Sequence, residues 1–280
     1  MSDDPLVSTA WLAERLDAPD IRVVDASWWM PAEARDAKAE YAAVHIPGAV
    51  FFDIDEIADE TSDLPHMLPS PAKFASRVRK MGLGDGARIV VYDASGVRSA
   101  ARVWWTFRAM GHEEVVVLDG GLPKWIAEGR ATTDRASTSG ERHFTARLMS
   151  DLIRDARQVG QALASGKEQV VDARPAARFT GATPEPRAGL KSGHMPGALN
   201  MPMPQVIAPD GTMKSAAALA EVFADAGVDV TKPIATTCGS GITASVLALA
   251  LARLGRWRTA VYDGSWTEWG ALPDAAVVTG

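Results

Sequence analysis

Cysteine is almost missing from this chain: among 280 residues there is one, Cys238. A single thiol excludes an internal disulfide and any cysteine-rich metal site, and it points to a reducing compartment. The five histidines, at 45, 66, 112, 143 and 194, show no metal-ligand spacing, so neither a metal nor another cofactor is expected. Positive charge is not in excess either. A net charge of -6 leaves no electrostatic footprint for nucleic acid or an anionic membrane surface, and small molecules are the expected partners. No apolar run approaches the ~18 residues of a membrane span. The N-terminal Met-Ser-Asp-Asp-Pro-Leu lacks the basic start and apolar centre of a signal peptide, so a cytoplasmic location is expected.

What is present suits a globular protein, with 47% hydrophobic and 23% charged residues, long enough for one large domain or two of ordinary size. Internal symmetry favours two. Leu6-Val-Ser8 returns as Leu148-Met-Ser150, Val23-Val-Asp-Ala-Ser27 as Val170-Val-Asp-Ala-Arg174, and His45-Ile-Pro-Gly-Ala49 as His194-Met-Pro-Gly-Ala198. Leu118-Asp-Gly-Gly-Leu-Pro-Lys-Trp125 returns as Tyr262-Asp-Gly-Ser-Trp-Thr-Glu-Trp269. The offsets are 142 (Ser8 to Ser150), 147 (Asp25 to Asp172), 149 (His45 to His194) and 144 (Trp125 to Trp269), which identifies two copies of one unit of roughly 130 residues. The expected division is 1–130, a polar linker over 131–147, and 148–280. Within each copy β-prone runs such as Ile21–Asp25, Arg88–Tyr92 and Val115–Leu118 alternate with helical stretches such as 71–81 and 99–110, while 56–70 reads as a loop. That alternation predicts an α/β fold in which each copy is a mostly parallel sheet flanked by helices, with ligands outside the carboxyl ends of the strands.

Cys238 stands where such a ligand would be met. The run Ile234-Ala-Thr-Thr-Cys-Gly-Ser-Gly-Ile-Thr-Ala-Ser reads as strand, tight loop and buried helix. Gly239 and Gly241 let the backbone curl around the sulfur with N–H groups aimed inward, and a helix beginning near Thr243 adds the positive end of its dipole. This is a cradle for an anion, and the thiolate is the form of cysteine that attacks. A cysteine used only for packing belongs on an apolar face within an element, not at the head of a Gly-x-Gly turn. At an offset of 145 the first copy carries Asp93 in the place of Cys238, so the second copy holds the chemistry and the first supplies walls and accessory groups.

Two familiar alternatives fall away. A cysteine phosphatase needs an arginine six residues after the cysteine to grip phosphate, and that position is Ala244. Gly82-Leu-Gly-Asp-Gly86 precedes a strand instead of following one, so it is a turn and not a dinucleotide fingerprint. Arg178 and Arg187 bracket a glycine- and proline-rich loop and suit capture of a carboxylate or sulfonate, or else are solvated surface groups. His66, in an irregular loop without a counterpart in the second copy, is a candidate for chemistry or an ordinary surface histidine. His45 and His194, at matching positions, indicate a shared structural task.

Taken together, Cys238-Gly-Ser-Gly-Ile-Thr243 with Asp25-Ala-Ser-Trp28, Phe51-Phe-Asp-Ile-Asp55, His66-Met-Leu-Pro69, Tyr92-Asp-Ala-Ser95, Pro184-Glu-Pro-Arg187 and Tyr262-Asp-Gly-Ser-Trp266 resembles the 3-mercaptopyruvate sulfurtransferases, built from two rhodanese-like repeats. Thiosulfate-preferring relatives typically place basic side chains right after the cysteine, whereas this loop has Gly239 and Ser240. Ile242 stands where valine is usual. The resemblance implies a persulfide on Cys238, formed from mercaptopyruvate with release of pyruvate and passed to cyanide, a thiol or thioredoxin. It implies that Arg178 and Arg187 hold the carboxylate and keto oxygen, that Ser240 and His66, oriented by Asp55, relay a proton, and that Gly239, Gly241, Ile242 and Thr243 complete the donor site. With His66 and Asp55 drawn from the first copy, the expected site lies between the copies. The competing expectations are a thiosulfate sulfurtransferase of the same fold and a non-catalytic persulfide carrier.

Overall fold

The computed structural model describes residues 4–137 and 140–280. Residues 1–3, in the N-terminal stretch inspected for a leader, and 138–139, in the expected linker, lie outside them. The chain forms two compact units, one comprising 1–60, 68–149 and 209–213, the other 61–67, 150–208 and 214–280.

The first unit contains strands β1 (Leu6–Val7), β2 (Ile21–Asp25), β3 (Val50–Phe51), β4 (Arg88–Tyr92) and β5 (Val115–Leu118) in the order β1-β5-β4-β2-β3. The second contains β6 (Ile153–Arg154), β7 (Gln169–Asp172), β8 (Leu199–Asn200), β9 (Ile234–Thr237) and β10 (Ala260–Tyr262) in the order β6-β10-β9-β7-β8. The two orders are the same, and every pairing between these strands is parallel. Parallel strands covered by helices on both faces are buried on both sides and read as near-continuous hydrophobic runs. Val-Val-Val-Leu in β5 and Ile-Ala-Thr-Thr in β9 are buried at all four positions.

The helices are α1 (Thr9–Ala13), α2 (Ala37–Ala43), α3 (Ile54–Ile57), α4 (Pro71–Lys80), α5 (Ser99–Ala109) and α6 (Gly121–Ala127), then α7 (Ala156–Ser165), α8 (Ala176–Phe179), α9 (Ala216–Asp225), α10 (Ile242–Arg253) and α11 (Ser265–Trp269). Their starts are written in the sequence: Ser8, Ser70 and Ser215 each accept a backbone N–H of the first turn, and Asp155 with Gln158 forms a capping box. Helix α3 occupies the beginning of the stretch expected to be a loop, because Asp53 caps it by accepting from the N–H groups of Asp55 and Glu56. α5 is buried along its whole length, Arg102 and Arg108 included, and α10 everywhere except Thr243 and Arg253, so both are central helices, and α10 is apolar nearly all the way round. None of the described helices is long and apolar enough to cross a membrane.

The stretch 131–147 groups with the first unit. Thr133 and His45 exchange backbone hydrogen bonds at 2.9 Å, Asp85 N donates to the carbonyl of His143 at 2.8 Å, and Phe144, 3% exposed, packs its ring against Phe74, Phe107 and His112. One buried phenylalanine and backbone pairing hold a segment whose polar composition reads as a free connection. Repeated residues do repeated work in each unit. The His45 ring stacks on Tyr41 and that of His194 on Phe179, each imidazole also reaching a backbone carbonyl of its partner (2.7 and 2.9 Å). Trp125 and Trp269 are both buried and donate to carbonyls of following segments, Ala131 and Ala276.

Candidate active site

β9 is flanked by β10 and β7, so it is the central strand of its sheet, and Cys238 is the first residue beyond its carboxyl end. α10 begins at Ile242, one residue ahead of the expected start, because Gly241 adopts φ 82° and turns the chain into the helix from the left-handed region. The loop between them is tied down from the other side. Cys238 N donates to Ser265 Oγ at 3.3 Å, Ser265 Oγ donates to the Tyr262 carbonyl at 2.8 Å, and Trp266 N donates to the Cys238 carbonyl at 2.9 Å. The Gly239 carbonyl accepts from both Thr267 N (2.9 Å) and Thr267 Oγ1 (2.6 Å). Ser265 itself has φ 51°, an uncommon conformation for a residue other than glycine, maintained by this network. Burial pushes the Tyr262 hydroxyl well above its ordinary pKa, which keeps it neutral.

Cys238 is 2% exposed and Ser240 8%, while Gly239 and Thr243 are half-buried and open the loop towards solvent. Among the described residues no hydrogen bond is made to Cys238 Sγ. The first copy shows why. There the Asp93 carboxylate accepts from Ser95 N (2.7 Å), Ser95 Oγ (2.7 Å), Arg98 N (2.7 Å) and Ala100 N (2.8 Å). A carboxylate oxygen stands three bonds from Cα and a thiol sulfur two, so the cysteine falls one bond short of the depth at which its counterpart meets the loop amides.

Arg178, on α8, lies against the same loop: a Cβ built on Gly239 would stand 3.2 Å from Arg178 Nη2, close enough that the guanidinium would have to shift by a few tenths of an ångström. Arg178 is ion-paired with Glu185. Arg187, two residues further along, is half-buried and makes no ion pair or hydrogen bond among the described residues. Arg174 is a structural group, 1% exposed, paired with Asp172 at 2.7 Å and stacked over Trp266 at 3.9 Å. His66 belongs to the segment that groups with the second unit, is 7% exposed and has φ 63°. A buried histidine in the left-handed region is an outlier of the kind concentrated at functional sites. Asp55 belongs to the first unit, where its carboxylate accepts from Trp28 Nε1 at 2.9 Å. Within the second unit the structure therefore brings together Cys238, Gly239, Ser240, Gly241, Ile242, Thr243 and Arg178, with Arg187 on the adjoining loop.

Three residues fall outside the sequence-based candidates: Ser265, Thr267 and Glu185. The first two lie in the repeated Tyr262–Trp269 motif, whose recurrence marks a structural role without showing that the second copy uses it to hold the cysteine loop. Glu185 lies inside Pro184-Glu-Pro-Arg187, where the flanking prolines were the only signal that its position is fixed. Among the described residues no group of His, Cys, Asp and Glu could hold a metal ion.

Comparison with known proteins agrees with this layout. A family model described as a rhodanese-like domain matches residues 8–128 and again 155–272. The chain is 42% identical to the 3-mercaptopyruvate sulfurtransferase of Escherichia coli (strain K12), over 99% of its own length and 99% of that protein's. It is 44% identical to the thiosulfate sulfurtransferase of Gallus gallus, covering 94% of this chain and 92% of that one. The crystal structure of SseA from Escherichia coli, a 3-mercaptopyruvate sulfotransferase with the rhodanese fold, aligns at a TM-score of 0.87 and 40% identity, over 94% of this chain and 99% of that one.

Proposed function

The chain belongs to the rhodanese family, as a member with two rhodanese-like domains in tandem, and from that premise we propose that it is a sulfurtransferase whose donor is 3-mercaptopyruvate. The observation that carries the reading is the neutral loop Cys238-Gly-Ser-Gly-Ile-Thr243 at the end of the central strand, with no basic side chain following the nucleophile and the cation set to one side at Arg178. Thiosulfate is a dianion whose charge lies beside its transferable sulfur, whereas mercaptopyruvate carries its charge on a carboxylate remote from the sulfur and needs a proton donor near the departing enolate.

In this mechanism the Cys238 thiolate attacks the donor sulfur, an S–S bond forms, the donor C–S bond breaks, and pyruvate leaves as its enolate with the electron pair. Ser240 and His66, the latter oriented by Asp55, deliver the proton that completes pyruvate. Arg178 and Arg187 hold the donor carboxylate and keto oxygen, and Gly239, Gly241, Ile242 and Thr243 shape the pocket. The outer sulfur of the persulfide then passes to cyanide, a thiol or thioredoxin, regenerating the thiolate. The chemistry falls to the domain at 148–280; the domain at 1–130, which lacks a nucleophile, supplies accessory groups. A cytoplasmic location suits a catalyst that depends on one reduced cysteine.

The ratio of kcat/KM for mercaptopyruvate to that for thiosulfate, with cyanide as acceptor, tests the reading. A preference for mercaptopyruvate supports it. A preference for thiosulfate moves the protein to the second reading, which the 44% identity to the Gallus gallus enzyme favours. Failure to release pyruvate at all would instead indicate a persulfide carrier.

A further inference from the structure

The proposed donor site contains two arginines, yet their electrostatic situations differ. Glu185, its side chain 2% exposed, accepts from Arg174 Nη1 at 2.8 Å and from Arg178 Nε at 3.2 Å, and it also pairs with Arg178 Nη2. Arg174 cannot turn away to serve a ligand. Its Nε donates to Asp172 Oδ2 at 2.9 Å, its Nη2 to the Gly193 carbonyl at 2.9 Å, and its plane is stacked on Trp266. Asp172, Arg174, Glu185 and Arg178 thus form one network of two negative and two positive side chains. Glu185 grips the Nε and Nη2 edge of Arg178, a fork-to-fork contact that fixes the guanidinium plane against Gly239. Arg187 adds a cation that no carboxylate neutralises among the described residues. Of the two arginines, Arg178 is therefore compensated by Glu185 and Arg187 is not.

We propose that Glu185 is a positioning and specificity-determining residue, which orients Arg178 towards the cysteine loop while cancelling its charge, so that the site favours a monoanionic sulfur donor over a dianionic one. The proposal rests on the sulfurtransferase reading and deepens it: donor preference comes from a buried glutamate two residues before Arg187 as well as from the neutral loop. Removing that negative charge leaves Arg178 uncompensated and raises the attraction for a second donor charge at short range in a partly dehydrated site.

The test is Glu185→Gln, assayed with mercaptopyruvate and with thiosulfate, cyanide being the acceptor in both. The thiosulfate-to-mercaptopyruvate ratio of kcat/KM is expected to rise by roughly tenfold. In the Arg178→Met background the same substitution should leave the ratio unmoved, since the effect passes through Arg178. An equal fall for both donors, or a shift that persists without Arg178, overturns the proposal. Should Glu185→Gln fail to fold, the wild-type protein still decides. Competition against donor by pyruvate, a monoanion, should be stronger than by sulfate, a dianion, and the reverse order overturns it. A wild type that prefers thiosulfate would defeat the donor assignment itself, whereas an unmoved ratio in Glu185→Gln defeats only the role given to Glu185.

Discussion

The loops that follow β4 and β9 occupy the same place in two sheets of the same strand order, and they solve opposite problems. In the first unit Asp93, fully buried, fills its loop with a carboxylate that accepts from the backbone of Ser95, Arg98 and Ala100, so these three N–H groups are satisfied by the chain itself. In the second unit Cys238 leaves its sulfur without a hydrogen bond among the described residues, and the loop is instead secured from outside by Ser265 and Thr267. One loop is tied together by its own side chain; the other is tied down by residues that follow β10. The outer sulfur of a cysteine persulfide stands three bonds from Cα, as the Asp93 oxygens do, so the internal carboxylate of the first copy marks the depth at which the second copy would hold the transferred sulfur.

The comparison makes separable predictions. Cys238→Ala should abolish turnover while leaving the thermal unfolding temperature almost unchanged, because no hydrogen bond is lost; a large drop in stability would mean the sulfur is structural. Asp93→Ala should do the reverse, costing on the order of 3 kcal/mol as buried N–H groups lose their acceptor, with kcat per folded molecule retained. Denaturant titration combined with activity measurement distinguishes the two. His66→Ala should slow release of pyruvate by roughly 100-fold if it relays the proton, and an unchanged rate in a single-turnover experiment would remove it from the chemistry. Arg187→Gln should raise KM for mercaptopyruvate by about tenfold with a smaller effect on kcat, the signature of a charged contact made in ground and transition states alike.

The smallest expected effect concerns the strand ends. Asp25 and Asp172 are equivalent and both 1% exposed, but Asp172 is paired with Arg174, whereas Asp25 accepts from Ser27 N at 2.8 Å and from the hydroxyls of Ser27 and Tyr92. Burial raises the Asp25 pKa above its ordinary value, with Asp93 adding to the shift. The folded state therefore keeps a proton that the unfolded state has released, and stability declines as pH climbs through the window between the ordinary carboxylate value and the raised one. Asp25→Asn removes that titration, so its unfolding temperature relative to wild type should increase across the same window. Parallel curves for the two proteins would contradict this.

The repeat made most of the architecture legible. Matching motifs announced two copies, alternation of β-prone and helical runs announced parallel sheets, and the Gly-x-Gly turn after the single cysteine announced the passage from β9 through a tight loop into α10. What stayed hidden depends on side chains that meet only after folding. Glu185 reads as one charge in a proline-bounded loop, and nothing in its neighbourhood along the chain indicates that it joins Arg174 to Arg178. Ser265 and Thr267 stand where the first copy has Gly121 and Pro123, and nothing along the chain ties that difference to the cysteine loop, whose backbone they meet only after folding. The polar run 131–147 conceals Phe144, whose burial against Phe74 and Phe107 ties it to the first unit. The loop's glycines are legible along the chain, but the depth to which a side chain reaches among the loop amides is not.

The central claim is that Cys238 accepts a sulfur atom from the donor and keeps it. Mass spectrometry of the intact protein and its peptides after treatment with mercaptopyruvate, without acceptor, tests this directly. The account predicts a gain of one sulfur atom, confined to the peptide containing Cys238 and reversed by cyanide. Release of pyruvate with no sulfur retained on that peptide would contradict it.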